Sequence, residues 1–357
     1  MIKRAAWYIV ILVLVSALVL AVQFVRFIVM PPYPAGVLQT VEVPAGDSFT
    51  KISGMLADRH IVKDEWDLKL LAYLMGATHS VKYGEYLLSG SMRPTTIIEK
   101  LLNGEVELHK VTIPEGYTDR QIAQTLEEKG LLKDVDGFRE LTRDRAFIAA
   151  EGISASSLEG FLYPETYELS KGLQPREIIK KMINQFKLVY TPELQERAGK
   201  MGMTMLQVVT LASMIEKETS VPSEKFLVSA VFHNRLKIGM RLQSDPTVIY
   251  AMHITDAVIT KKELRTKSPY NTYTVYGLPP GPICNPGRES IVAALYPANV
   301  AYLYFVANND GSHEFSRTLA EHNHYVNIYQ RKDRKDEQSE RTHSNDSKRV
   351  RSANHRI

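Results

Sequence analysis

One cysteine, Cys284, stands in a chain of 357 residues, so no internal disulfide can form, and nothing around it matches a catalytic cysteine signature. Net charge is nearly as scarce. The formal balance is +4, much of it in the C-terminal tail, which is too weak to point to nucleic acid. No HExxH string occurs either. His313, His322 and His324 cluster within GSHEFSRTLAEHNHYV (311–326), but a His-x-His spacing does not suit a helical zinc pair, which needs i, i+4. The sequence therefore leads to no expectation of a metal or a cofactor. Hydrophobic residues make up 44% of the chain, enough for a well-cored domain of about 200 residues plus smaller units.

One long apolar run is present. Ala5–Val25 holds no charge and is dominated by Ile, Leu, Val and Ala; roughly 20 such residues cross a bilayer core as a helix. Lys3 and Arg4 precede it, Arg26 follows, and Trp7 and Tyr8 are placed as an interfacial belt. The continuation VQFVRFIVMPP has no small-residue cleavage site, so a signal anchor is expected rather than a cleaved leader. The layout is then a single pass through the cytoplasmic (inner) membrane. Residues 1–4 lie in the cytoplasm, residues 5–30 form the anchor, and Pro31, Pro32 and Pro34 stiffen a spacer beyond it.

After the spacer comes an internal similarity. VEVPAGDSFTKISGMLADRHIV (41–62) and VTIPEGYTDRQIAQTLEEKGLL (111–132) align without gaps at an offset of 70. Each copy reads as a short strand, a Pro-x-Gly turn, a Ser/Thr N-cap and a helix with Ile and Leu on one face. In the second copy, Thr118 and Gln121 make a capping box. Between the copies, 66–74 reads as a helix, 83–89 as a strand and 93–102 as another helix. The string Val43-Pro44-Ala45-Gly46-Asp47-Ser48 resembles the opening of LysM modules, small βααβ glycan-holding domains, with one extra residue between proline and glycine. Residues 40–110 are accordingly expected to form a LysM-like subdomain.

Chemistry concentrates further on. TMLQVVTLASMIEKETS (204–220) reads as a helix. Met205, Val208, Val209, Ala212 and Ile215 recur at helical spacing, Thr204 is placed as an N-cap, and Pro222 stops the helix. Glu216 and Glu218 fall in its last turns, projecting from opposite margins of the apolar face. The negative end of the helix dipole disfavours a carboxylate there and raises its pKa, which suits a proton donor. Periodicity does not choose between the two. LEGFLYPETYEL (158–169) mixes aromatics with Glu159 and Glu165. Residues 225–236 read as an amphipathic helix, Gln243-Ser244-Asp245 as a polar turn, and 301–308 as a buried strand. SPYNTYTVYGLPPGPICNPG (268–287) packs tyrosines, two asparagines and five prolines together, a composition for a rigid pocket wall rather than a linker. From Arg331 the chain is charged, lacks aromatics and is expected to be disordered.

The strings LEGFLYPETY, ASMIEKET, VFHNRLKIGMRLQSDPTVIY, SPYNTYTVYGLPPGPICNPG and YLYFVA…GSHEFSRTLAEHN, in that order behind one anchor helix, resemble the endolytic murein transglycosylases of the MltG (YceG-like) family. The resemblance implies an α+β fold: an N-terminal transmembrane helix, a LysM-like βααβ subdomain, and a larger mixed α+β catalytic domain over 111–330 facing the periplasm. It implies cleavage of the MurNAc–GlcNAc bond in nascent peptidoglycan strands, leaving 1,6-anhydro-MurNAc ends and terminating glycan elongation near the penicillin-binding synthases. It places the catalytic glutamate at Glu218. Gln243, Asp245, Tyr270, Asn271 and Tyr273 become candidates for substrate binding. Two rivals stand beside this reading. A muramidase would need a second carboxylate, with Asp245 or Glu165 available; a wall-binding scaffold would need no turnover at all.

Overall fold

The computed structural model of the chain describes residues 2–254, 259–308 and 310–329; the tail over 331–357, expected to be disordered, lies outside the described residues. Two compact units form, each from separate segments. The first comprises Met1–Val111, Gln124–Val135 and Thr166–Ile178; the second comprises Thr112–Ala123, Asp136–Glu165 and the chain from Ile179 onward. Residues 124–135 and 166–178 thus belong to the first unit although they lie beyond residue 111.

The first unit begins with α1 (Ile2–Val29), of which Ala6–Val29 is long and apolar enough to cross a membrane. Then follow β1 (Leu38–Val43), α2 (Phe49–Asp58), α3 (Glu65–Leu74) and β2 (Gly84–Ser89), with β1 and β2 paired antiparallel and Val41 opposite Tyr86. Local chemistry sets the helix starts. The Ser48 side chain accepts from the Lys51 N–H at the head of α2, and Asp64 Oδ1 accepts from the N–H groups of Trp66 and Asp67 at the head of α3. Ile52, Leu56, Leu68 and Leu71 face inward with Val41 and Tyr86, and α4 (Pro94–Asn103) adds Ile97, Ile98 and Leu101. The result is a β–α–α–β layer with one apolar core, followed by β3 (His109–Thr112).

The next helices are α5 (Asp119–Glu128), α6 (Val135–Leu141) and α7 (Arg145–Ala150). The expected capping box heads α5: the Thr118 N–H donates to Gln121 Oε1, and the Gln121 N–H donates to Thr118 Oγ1. β4 (Thr166–Leu169) pairs with β3, and α8 (Pro175–Val189) and α9 (Pro192–Lys200) lead on. At the heart of the second unit is α10 (Met205–Glu218), packed among α9, α11 (Pro222–Lys237), α12 (Asp245–Met252) and α13 (Arg288–Leu295). Every residue from Val208 to Ile215 is buried, so the one-sided apolar stripe read from the sequence is in fact a helix enclosed on all sides. Its polar members are accommodated locally: Thr210 Oγ1 donates to the Leu206 carbonyl and Ser213 Oγ to that of Thr210. Each fully buried Val or Leu there contributes about 1.5–3 kcal/mol of apolar burial.

α11 likewise departs from the simple amphipathic reading, since it buries Glu224, Lys225 and Arg235 along with its apolar residues. The strand expected at 301–308 shrinks to β5 (Tyr304–Ala307), half-buried and paired with β6 (His313–Ser316), and residues 319–329 are helical. Gly160 needs to be glycine. Its φ is +89°, and a Cβ would lie 2.5 Å from Pro282.

Candidate active site around Glu218

The two glutamates at the end of α10 have different surroundings. Glu216 is 8% exposed and fully engaged: it pairs with buried Lys225 at 3.2 Å, and its Oε2 accepts from the Gly287 N–H at 3.0 Å and the Ser290 hydroxyl at 2.7 Å. It ties α10 to α11 and to the start of α13, with both of its oxygens engaged. Glu218 is only half-buried and has no salt-bridge partner among the described residues. Its Oε1 accepts a hydrogen bond from Ser244 Oγ. Removal from water pushes its pKa up to about 7. The Ser244 bond and the Arg235 charge act downward, and the Asp245 charge acts upward. The expected direction stands, but burial is the leading cause rather than the helix terminus.

Ser244 is held rigidly by groups distant in sequence. Its N–H donates to Thr272 Oγ1 at 2.9 Å, and its carbonyl accepts from Thr247 Oγ1 at 2.6 Å. Thr272 Oγ1 lies 2.9 Å from Thr247 Oγ1, and all three residues are essentially inaccessible. This closed ring of two threonine hydroxyls and the Ser244 backbone fixes the serine whose own hydroxyl faces the carboxyl. Arg235 enters from α11, donating to the carbonyls of Leu303 at 2.7 Å and Leu242 at 2.6 Å, and sets a positive charge behind Glu218. Behind Thr219, the residue that ends α10, its hydroxyl donates to Glu224 Oε2, which also meets His313 Nδ1 at 2.7 Å.

The candidate binding residues separate into groups. Asp245 is exposed at the head of α12 and accepts from the Tyr273 hydroxyl at 2.5 Å, so these two flank the Glu218–Ser244 pair. Gln243 is exposed too, in a left-handed conformation (φ +49°), with its N–H on the Thr272 carbonyl. Asn271 is different: it is fully buried, and its amide donates to the carbonyls of Leu264 and Thr266 while its Oδ1 accepts from the Tyr273 N–H. It shapes the loop from within and presents nothing to a ligand. Tyr270 packs on Tyr250, ring centroids 5.0 Å apart, and Tyr250 in turn reaches Glu159.

Glu159 is 2% exposed and accepts from the Asp119 N–H and the Asn285 side chain; burial, and then Asp119, drives its pKa well above the carboxylate range. It is an enclosed structural acid. Glu165, offered as a second carboxylate, is exposed, and the charges that act on Glu218 are those of Asp245 and Arg235 instead. Cys284 is buried, its thiol donating to the Ser213 carbonyl. A cavity of about 470 Å³ opens between Met203, Leu206, His233 and Pro280, and Glu218 does not line it. Ser244, Arg235 and Thr272 are the members of the site that sequence reasoning passed over. Ser244 alone carried a signal, standing between two of the chosen candidates.

Comparison with known proteins places the chain in a family. Residues 41–328 match the YceG-like family. An endolytic murein transglycosylase of Bacillus subtilis (strain 168) is 32% identical over 298 residues, taking in 79% of this chain and 82% of that protein. One from Streptococcus pneumoniae serotype 2 (strain D39) is 29% identical over 323 residues, again 79% of this chain but 58% of the longer relative. The crystal structure of a yceG-like protein from Listeria monocytogenes, 36% identical, superposes with a TM-score of 0.56 and covers 81% of this chain and 99% of that one. The chain belongs to the YceG-like family.

Proposed function

We propose that the protein is a membrane-anchored murein transglycosylase in which Glu218 is the sole acid and base. The observation that carries this is a half-buried glutamate with a pKa near 7, lacking a salt bridge among the described residues and held by a buried serine. A group of that pKa is protonated often enough at neutral pH to give a proton and basic enough to take one back. Ser244 occupies Oε1, which leaves Oε2 to carry the transferred proton. Glu218 donates to the glycosidic oxygen as the MurNAc–GlcNAc bond breaks and positive charge grows at C1. The carboxylate then removes the proton from the C6 hydroxyl as that oxygen attacks C1, closing a 1,6-anhydro ring. No water enters, and Glu218 ends protonated, ready for another cycle.

Asp245, Tyr273 and Gln243 are read as the groups that hold the sugar chain, and Tyr270 as part of the wall behind them. The names of the relatives and the acid's surroundings support this reading. The β–α–α–β order of residues 38–89 supports a LysM-like, glycan-holding role for that layer. The anchor reading puts residues 1–4 in the cytoplasm and the enzyme in the periplasm, with a role in ending glycan elongation near the penicillin-binding synthases.

One observation favours a second reading: the Asp245 charge acts on Glu218, which keeps a two-carboxylate muramidase in play. Digestion of purified, uncrosslinked glycan strands separates the two by mass. Anhydro ends, one water lighter than reducing ends, are expected; reducing ends would make the enzyme a hydrolase, and intact strands would make it a scaffold.

A further inference from the structure

We infer that α3 lies in the headgroup layer of the membrane and holds the first unit against the bilayer through a stripe of Trp66, Leu70, Tyr73 and Leu74. This rests on reading α1 as a membrane span. The stripe follows helical spacing, i, i+4, i+7, i+8, and its members are 71%, 47%, 73% and 64% exposed. The opposite face of α3 already fills the core with Leu68, Leu71 and Ala72, so the exposed face has no structural use within the unit. Tryptophan and tyrosine with leucine are the residues that settle at the boundary between headgroups and acyl chains, where ring bodies are buried and polar tips stay wet.

The anchor supplies the geometry. Ala6–Val29 is 24 residues, about 36 Å of helix at about 1.5 Å per residue, against a hydrocarbon core of about 30 Å. With Trp7 and Tyr8 at one boundary, the other falls near Val25–Phe27. Phe24, Phe27 and Ile28 at that level are the residues that pack against the core of the first unit, and α1 touches both α3 and α4. The stiff Pro31–Pro34 segment therefore does not hold the unit away from the surface, and α3 is brought to the headgroups by direct contact with the anchor. Charge contributes little: Lys69 lies over the Trp66 ring at 4.4 Å but is paired with Glu65 at 3.2 Å. The partner is thus a lipid surface of any headgroup, recognised by apolar and aromatic burial.

The chain has two tryptophans, one in the anchor and one in the stripe, so each can be read alone. The full-length Trp7→Phe protein, reconstituted in vesicles of phosphatidylcholine and phosphatidylglycerol, should show Trp66 emission blue-shifted and quenched by lipids brominated near the headgroup end of their chains. Adding Leu70→Glu and Tyr73→Glu should reverse both effects, and pure phosphatidylcholine should preserve them. The Trp66→Phe protein reports Trp7 and tests the anchor itself. Quenching of Trp7 with Trp66 unquenched would overturn the stripe and leave the anchor standing; absence of both would overturn the anchor and the stripe with it. A blue-shifted Trp66 that bromine does not quench would mean cover by protein, and would equally overturn the proposal.

Discussion

Glu218→Gln should abolish turnover and, above neutral pH, stabilise the fold. The carboxyl has an ordinary value of 4.5 and sits at about 7 in the folded chain, mainly because the surrounding protein excludes water. At about 1.4 kcal/mol per pH unit, holding the ionised form above pH 7 costs the folded state about 3 kcal/mol. Below pH 4.5 the acid is protonated whether folded or unfolded, and the cost disappears. Wild-type stability therefore declines as pH rises from 4.5 through 7, while the glutamine variant, which has nothing to ionise, is spared that decline. An amide oxygen still accepts from Ser244, so the variant keeps the local geometry. We expect a gain of about 2–3 kcal/mol at pH 8 and little difference at pH 4.5. Both tryptophans lie in the first unit, so the transition of the second is better followed by tyrosine near-ultraviolet circular dichroism during urea unfolding. An equal effect at both pH values would mean that ionisation of Glu218 does not set the difference.

Two substitutions beside the acid should move the alkaline limb of the kcat/KM profile in opposite directions. Ser244→Ala removes a hydrogen bond that favours the carboxylate and should raise that limb by about 1–2 pH units; Asp245→Asn removes a repulsive charge and should lower it. Glu216→Gln leaves Lys225 buried and poorly paired, and should destabilise the second unit by about 3 kcal/mol in urea unfolding. Tyr273→Phe frees Asp245 of its phenol partner, and a severalfold rise in KM with kcat retained is the expected kinetic signature of a lost binding group.

Local signals were legible in the sequence. The Thr204 N-cap and the stop at Pro222 bound α10 as observed, the Thr118–Gln121 box heads α5, and the helices at 66–74 and 93–102 lie within a residue or so of α3 and α4. Each depends on chemistry within a few residues of chain. What stayed hidden depends on chain segments meeting in space. Glu218 and Ser244 are 26 positions apart, the Thr247–Thr272 pair 25, and neither spacing carries a pattern. Asn271 shows the same limit from the other side: a polar residue in a rich loop reads as a binding group, yet its hydrogen bonds are all consumed by the loop that holds it. Periodicity also misjudged α10, because a helix surrounded by four others is apolar all round and its Thr and Ser bond back to their own turns.

In the proposed mechanism one carboxyl group performs the whole proton transfer. Turnover of purified glycan strands by the Glu218→Gln protein, its folding verified, decides whether it does. Loss of one general acid–base group predicts a fall of at least about 10²–10⁴-fold with strand binding retained. Cleavage by that variant at the wild-type rate would contradict the account.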